Sequence, residues 1–545
     1  MLMTSAHALG AERCGGEARV RTSRSIARVA TACVVTLIAT ACSSSGTTTE
    51  KSTTPAKRPN IVFVLTDDLD LTSYTKDPAR FPKVNALLTK QGTTFSNAFV
   101  TDSLCCPSRA SILRGQYVHD HGVLDNLPPN GGFEHWQTLG RDTSTVATWL
   151  HDAGYRTALF GKYLNGYPNT VSPTYVPPGW DDWASPSAGN PYAEYNYQLN
   201  ENGTLHHYGA TPKDYLVDVL AKRSTTFIDR HAGKKPFFMY VAPYVPHQPA
   251  TPAPRYANAF PGAVAPRPPS FDQSDVTSEP AYVRDRPLLR PAVVRYIDAL
   301  YRRRLQSMLG VEDLLSGIVR ELTRTHQLDN TYIVLTSDNG FHLGEHRLPF
   351  GKQTPYETDI HVPLVVRGPG VPANRTVRGF AREIDLAPTF AAWGHATAPA
   401  FVDGVSLAPQ LGSGKQVGTV PQDVLIEHYA NGDVTARATR RATVTTEPDD
   451  DANPPNAGTP RRGPAAALRQ ARRKLVTVAI PPYRALRTAH YMYAEYATRE
   501  KQLFDITKDP YELHNLAATA DPALLAQLSS RLAQLASCSG KSCRA

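Results

Sequence analysis

Apolar runs alternate with amphipathic stretches along most of this chain. Asn60 to Thr66 (NIVFVLT), Pro236 to Ala242 (PFFMYVA) and Asn330 to Thr336 (NTYIVLT) are unbroken and rich in β-branched and aromatic residues. That is the pattern of strands buried on both faces of a parallel sheet. Shorter runs at Arg156 to Phe160 and Pro363 to Val366 predict two more strands. Between them, apolar residues recur at helical spacing from Phe81 to Gly92, Ser144 to Ala153, Tyr215 to His231, about Pro291 to Thr325, and Asp385 to Trp393. Tyr167 to Thr211 is rich in Pro, Gly, Trp, Tyr and Asn without a clear period, and is predicted as long loops over the sheet.

The alternation predicts an α/β domain with a mostly parallel sheet sandwiched by helices. In such sheets ligands bind beyond the carboxyl ends of the strands. Four predicted strands end there in chemistry: Asp67-Asp68, Gly161-Lys162, Pro246-His247 and Asp338-Asn339. Each alone has an ordinary reading as a helix cap, a turn former or a loop residue. Four together are hard to assign that way.

After about residue 420 the pattern changes. Asp423 to Tyr429 predicts a strand, Arg484 to Phe504 alternates as hairpin strands, and Pro522 to Ala536 is amphipathic, with Asp521 as its N-cap. Residues 421–545 are therefore expected to form a smaller antiparallel α+β domain beside a domain of residues 59–420. Glu447 to Arg473 is low-complexity and is read as a surface insertion within it.

The N-terminus is not part of the fold. Arg19, Arg21, Arg24 and Arg28 precede an apolar run, Val29 to Ala41, too short to span a bilayer comfortably. Residues 1–41 read as an export signal. The ending Leu37-Ile38-Ala39-Thr40-Ala41-Cys42 resembles a lipoprotein cleavage box, with Cys42 as the lipidated residue. Ala39-Thr40-Ala41 also suits ordinary cleavage, so anchored and freely secreted forms both stand. Residues 42–58 are a flexible tether.

The net charge of +9 is mild for 545 residues. No dense basic run with interleaved aromatics is present, so nucleic acid is not an expected partner. Any membrane contact would come through the N-terminal lipid.

Seven cysteines occur. Cys14 and Cys33 leave with the signal, and Cys538 with Cys543 can close a small disulfide in an oxidising compartment. Cys105 and Cys106 remain, at the start of Cys105-Cys106-Pro107-Ser108-Arg109-Ala110-Ser111-Ile112-Leu113-Arg114-Gly115. Pro107 suits a first helical position and Gly115 a C-terminal stop, so Cys105 is placed just before a helix N-terminus that favours anions. A vicinal disulfide would be strained, which favours a special role for one thiol.

Asp67, Asp68, Asp338 and Asn339 offer only oxygen donors, the set a hard cation prefers; Ca²⁺ fits best and Mg²⁺ second. Arg109, Lys162, His247 and Lys352 would add positive charge beside the helix N-terminus. The natural guest of such a pocket is a compact tetrahedral oxyanion.

The run Cys105-x-Pro107-Ser108-Arg109 followed by Leu113-x-Gly115 resembles the signature of the type I sulfatases, the formylglycine-dependent branch of the alkaline-phosphatase-like superfamily. The resemblance extends to Asp67-Asp68, Gly161-Lys162, Pro246-His247, Asp338-Asn339-Gly340, Gly344-Glu345-His346 with Lys352, and Asp509-Pro510-Tyr511-Glu512. It covers most of residues 59–520. Cys105-Cys106 and Gly161-Lys162-Tyr163-Leu164-Asn165 are similar to the N-acetylglucosamine-6-sulfatases and heparan endosulfatases.

The resemblance implies an alkaline-phosphatase-like fold and a sulfuric ester hydrolase acting on a sulfated sugar, with N-acetylglucosamine-6-sulfate of a glycosaminoglycan as the leading substrate. Cys105 would be converted to Cα-formylglycine by a formylglycine-generating enzyme. Residue 105 with Asp67, Asp68, Asp338 and Asn339 would hold Ca²⁺. Arg109 would orient the hydrated aldehyde, and Lys162, His247 and Lys352 would grip sulfate. Many sulfatases carry a histidine two residues after the lysine; here Leu164 stands there, leaving His119, His121, Asn165 or a loop histidine as candidates and the base unassigned. The alternatives are a phosphonate or phosphate ester hydrolase of the same superfamily, and a non-catalytic carbohydrate-binding relative.

Overall fold

The computed structural model describes residues 58–75, 77–412, 422–429 and 478–544. The predicted signal, nearly all of the tether and the 447–473 insertion lie outside the described residues.

A ten-stranded mixed sheet forms the centre. Its strands are β1 (Asn60–Thr66), β2 (Thr93–Phe99), β3 (Arg156–Gly161), β4 (Asp182–Gly189), β5 (Tyr197–Glu201), β6 (Thr204–Tyr208), β7 (Phe237–Ala242), β8 (Thr331–Ser337), β9 (Leu364–Arg367) and β10 (Arg375–Arg382). The order is β10-β2-β9-β8-β1-β7-β3-β4-β5-β6. The block β8-β1-β7-β3-β4 is parallel. β9 runs antiparallel to β8 and β2, and β4-β5-β6 is an antiparallel meander.

The side chains of β1 alternate between two cores, as a strand period of two requires. Val62 and Val64 face the helices Leu216–His231 and Pro291–Arg324. Ile61, Phe63 and Leu65 face the helices Cys105–Arg114, Val146–Asp152 and Leu386–Gly394. Both faces are covered, which is why the central strands read as continuous apolar runs.

A second sheet is antiparallel, in the order β11 (Asp423–His428), β12 (Tyr483–Thr488), β13 (Tyr491–Tyr496), β14 (Lys501–Asp505). The helix Pro522–Leu535 covers one face of it through Leu528, Leu532 and Leu535. Asp521 accepts the Ala523 N–H at 2.8 Å, the expected cap. Cys538 and Cys543 form a disulfide, and the turn they close is tied back to the main unit through Gly540 N–H, which donates to Asp403 Oδ1 at 2.6 Å.

Three expectations need correction. Tyr167 to Thr211 is not only loop: it contains β4, β5 and β6, a meander whose outer strand is largely exposed and so carries no apolar period. The Phe81 to Gly92 segment is a short α-turn, Pro82–Val84, continued as a π-helix, Asn85–Thr89. The Cys105 helix begins at Cys105 itself, with Leu104 as N-cap, so Pro107 is its third residue and not its first. Gly115 ends it as expected, with φ of 65° and its N–H on Ser111 O at 2.7 Å.

Candidate active site

The strands β8, β1, β7 and β3 are immediate neighbours, and all four are parallel. Their carboxyl ends therefore deliver Asp338-Asn339, Asp67-Asp68, His247 and Lys162 to one place. Two glycines make the turns fit. A Cβ at Gly161 would lie 2.0 Å from Ala242 O, and its φ is +112°; a Cβ at Gly340 would lie 2.1 Å from Thr358 O. Glycine lets both chains pass close to their neighbours.

Cys105 is fully buried at the centre of this convergence. Its Sγ lies 3.3 Å from Asp67 Oδ1, and Lys352 Nζ lies 2.8 Å from the sulfur. Lys352 also reaches Asp68 Oδ1 at 2.5 Å, and Lys162 reaches Asp67 Oδ2 at 2.5 Å. Arg109, one helical turn beyond Cys105 and fully buried, donates from Nε to Asp338 Oδ2 at 2.8 Å and from Nη1 to Lys162 O at 3.1 Å. His247 Nε2 is 3.7 Å from Asp68 Oδ2, while its Nδ1 lies 2.6 Å from Gln248 O. That carbonyl can only accept, so Nδ1 carries the proton.

Every charge here is buried. Burial opposes ionisation of Asp67, but Lys162, His247 and Arg109 outweigh it and hold that carboxyl below the usual range. Burial also opposes the Lys162 ammonium, and the Asp67 carboxylate outweighs it. The Cys105 thiol is pushed well above its ordinary range by burial and by Asp67, despite both lysines. An unmodified Cys105 is thus a protonated thiol and a poor nucleophile.

The oxygens test what cation the site fits. Asp68 Oδ2 and Asn339 Oδ1 are buried and accept no hydrogen bond. Asn339 Nδ2 donates to Asp68 Oδ1 at 2.7 Å, and Asp68 N–H donates to Asp338 Oδ1 at 3.1 Å. These contacts turn the remaining oxygens of the pair toward the centre. Ligating atoms of Asp67, Asp68, Cys105 and His247 lie within 4.8 Å of one another. Buried acceptors without donors are costly, and this donor set, dominated by carboxylate and amide oxygen, fits a hard divalent cation. Asp68 has a φ of 67°, unusual for a residue other than glycine.

All nine predicted site residues are buried. The contacts above join them in one cluster. The three candidates for the base divide. His119 binds Glu427 and Cys538 O, and His121 bonds Ser111 Oγ at 3.0 Å; neither is tied to the cluster. Leu164 packs into the core beneath the Cys105 helix. Asn165 comes nearer: its Nδ2 meets the Tyr192 hydroxyl at 3.5 Å. His342 bonds Asp359 and His346 stacks on Tyr356.

Several participants are not legible in the sequence. The Tyr192 ring lies 5.0 Å from Lys162 Nζ and 4.7 Å from the His247 ring, and Tyr244 stands beside both Lys162 and Tyr192. Glu194 fixes the Tyr192 turn by accepting the Val217 N–H at 3.0 Å at the start of the helix Leu216–His231. Behind Asp68, Arg304 Nη2 donates to Asp68 O at 2.5 Å and to Asp70 Oδ2 at 2.9 Å. Glu383 accepts from Ser108 Oγ at 2.6 Å, and burial raises its carboxyl to about 8 despite that bond. Only the topology shows these contacts, since each partner is distant in sequence.

Comparison with known proteins gives a consistent family. The family model described as Sulfatase matches residues 59–396. The N-acetylglucosamine-6-sulfatase of Capra hircus is 36% identical over 500 residues, covering 90% of this chain and 85% of the relative. That of Homo sapiens is 36% identical over 499 residues, covering 90% and 86%. Among solved structures, a protein in complex with its substrate D-glucosamine-2-N,6-O-disulfate superposes with a TM-score of 0.67 at 22% identity, covering 88% of this chain and 97% of that one. A phosphonate monoester hydrolase from Silicibacter pomeroyi gives a TM-score of 0.61 at 23% identity, covering 88% and 94%. At those identities the structural likeness shows the alkaline-phosphatase-like fold alone.

Proposed function

Since the chain belongs to the sulfatase family and is a sulfuric ester hydrolase, we propose that it removes the 6-O-sulfate from N-acetylglucosamine residues of a glycosaminoglycan, using residue 105 as formylglycine. The observation that carries this is the convergence on Cys105 of Asp67 at 3.3 Å and Lys352 at 2.8 Å, with Lys162 joined to Asp67 and Arg109 to Asp338. The names of the relatives supply the sugar.

On this reading Asp67, Asp68, Asp338, Asn339 and residue 105 hold Ca²⁺. Bound there, the ion would supply fixed positive charge to oxygens that gain charge in the reaction. Arg109, locked by Asp338, orients the hydrated aldehyde. Lys162 and Lys352 neutralise the sulfate oxygens as charge builds on them. One hydroxyl of the hydrate attacks sulfur and passes its proton to the Asp67 carboxylate beside residue 105 as the S–O bond to the alcohol breaks. His247, protonated on both ring nitrogens with Nδ1 held by Gln248 O, gives its Nε2 proton to the departing alcohol. The second hydroxyl then loses its proton, the aldehyde re-forms and sulfate leaves. Leu164 cannot take that proton. His119 and His121 are held elsewhere, so His247, left with a bare Nε2 once it has protonated the alcohol, is the base within the cluster.

Export is the companion proposal. Two relatives are described as extracellular sulfatase homologs, and the Arg-rich start with its apolar run suits a signal, with lipidation at Cys42. Mass measurement of the mature N-terminus decides between a diacylated Cys42 and simple cleavage.

The deciding assay compares N-acetylglucosamine-6-sulfate with other positional sulfates, aryl phosphates and phosphonate monoesters on one preparation. Fastest turnover of the 6-sulfate supports the reading. Faster turnover of the phosphorus esters would replace it by the phosphonate hydrolase alternative, and no turnover at all would point to a binding protein.

A further inference from the structure

The helix Pro291–Arg324 is far longer than the strand it leads to. It is pinned at Arg304, whose guanidinium holds Asp68 O, Asp70 Oδ2 and Pro246 O. Those atoms belong to the loops after β1 and β7, so Arg304 marks the level of the sheet's carboxyl edge. From there the helix descends along the sheet toward the start of β8, packing Leu305, Met308, Val311 and Leu315 into the core. The preceding thirteen residues, 291–303, run on by about 20 Å past that level, with Ile297, Leu300 and Tyr301 still buried in the same core and the opposite face exposed. This is the edge that carries the active site. The projecting half leans on the loop that delivers Lys352, because Tyr296 packs on Phe350 with ring centroids 5.0 Å apart.

Its charge is one-sided. Arg290, Arg295 and Arg303 are exposed, and none has an acidic partner among the described residues. The nearby acid on the same segment, Asp298, is already taken by Arg267 at 2.6 Å. A fold does not need three uncompensated arginines on a projecting half-helix, and they repel one another unless an anion meets them. Positions 295 and 303 lie about two turns apart on one side, and Arg290 precedes the first turn, so the charges form a strip and not a point.

We propose that this half-helix is a cationic rail that binds further anionic groups of a polysulfated carbohydrate chain while one of its sulfates sits at Cys105. The proposal rests on the sulfatase reading of the site and extends it: the preferred substrate is a polymer carrying several charges, not an isolated sulfated sugar. A nucleic acid fits less well. Base stacking needs exposed rings, and both aromatics on this half are packed inward, Tyr301 in the core and Tyr296 against it and Phe350.

The test uses the full mature enzyme and the variant Arg290→Ser/Arg295→Ser/Arg303→Ser, with Arg378→Ser/Arg499→Ser as a control for general charge loss. kcat/KM is measured on sulfated monosaccharide and on heparin-derived oligosaccharides of increasing length, at low and moderate salt. The wild type should gain at least about tenfold with length, and salt should erase the gain. The triple variant should lose that gain and keep the monosaccharide rate; the control should keep both. No length dependence in the wild type, or an unchanged one in the triple variant, overturns the rail.

A second measurement separates the rail from the active-site reading. Cys105→Ala protein is tested for retention on immobilised heparin and on single-stranded DNA of matched charge. Heparin retention lost in the triple variant upholds the rail even if no sulfate ester is turned over. Equal retention of the DNA marks an unselective basic surface and overturns it.

Discussion

Lys352 Nζ sits 2.8 Å from Cys105 Sγ and 2.5 Å from Asp68 Oδ1, so one ammonium joins the proposed formylglycine position with a carboxylate proposed to bind metal. The lysine arrives from a loop after β8, whereas Asp68 follows β1. Removing its charge therefore affects both the sulfate grip and the balance of buried charge. Lys352→Met should lower kcat by about 100- to 1,000-fold, measured in steady-state turnover of an aryl sulfate.

Cys105 and Cys106 should respond differently. Peptide mass spectrometry of the purified active enzyme should find formylglycine at 105 and unmodified cysteine at 106. Cys105→Ala should abolish turnover while the far-UV spectrum stays native. Cys106 is a buried core residue whose N–H donates to Asn126 Oδ1 at 2.8 Å through the backbone, which alanine retains. Cys106→Ala should keep activity and cost about 1 kcal/mol of stability. Active enzyme with intact cysteine at 105 would refute the mechanism.

Arg109 is expected to be a folding residue as well as a site residue. It is fully buried and paired with Asp338 at 2.8 Å. Arg109→Ala leaves that carboxylate without its partner and should cost about 3–5 kcal/mol, read by denaturant unfolding.

Chelation should lower the melting temperature, and Ca²⁺ should restore it better than Mg²⁺. The expected gain is about 2.7 kcal/mol when the ion is at a hundred times its Kd. Asp338→Asn should blunt the response, and a larger shift with Zn²⁺ than with Ca²⁺ would contradict the oxygen-ligand assignment.

Tyr192 offers a test of positioning. Its ring, not its hydroxyl, faces Lys162 and His247. Tyr192→Phe should behave as wild type, whereas Tyr192→Ala should lose about 2- to 30-fold in kcat/KM, the range of cation–π contacts. The pH profile of kcat should shift with it, because His247 loses its ring neighbour.

His119 predicts a pH dependence of stability. Burial disfavours its charge, but the hydrogen bond and charge of Glu427 outweigh this and raise it to about 9. A pKa raised on folding stabilises fully below the unfolded value, about 6.5, and the benefit is lost as pH climbs through 9. Thermal melts between pH 6 and 10 should show this decline, and His119→Gln should flatten it.

Much of this was readable beforehand, for identifiable reasons. β1, β7 and β8 are buried on both faces, so their sequences are continuous apolar runs with the site residues next in line. The meander β4 to β6 was missed because its outer strand, Thr204–Tyr208, is nearly all exposed and Pro186 interrupts β4. The helix start was misplaced because Pro107 is tolerated anywhere in a first turn, where no N–H is needed. Tyr192, Glu194, Arg304 and Glu383 act through contacts across the fold that no local spacing records.

The complete burial of Cys105 also has a meaning in time. No enzyme can reach a sulfur enclosed by Asp67, Lys352 and the helix that bears it once the sheet has closed. The disulfide turn at 538–543 is tied to residues far earlier in the chain, through Gly540 on Asp403 and Cys538 O on His119. The proposed conversion of residue 105 to formylglycine must therefore come before the chain has folded. A protein refolded from unmodified chain should be compact, stable and permanently inert.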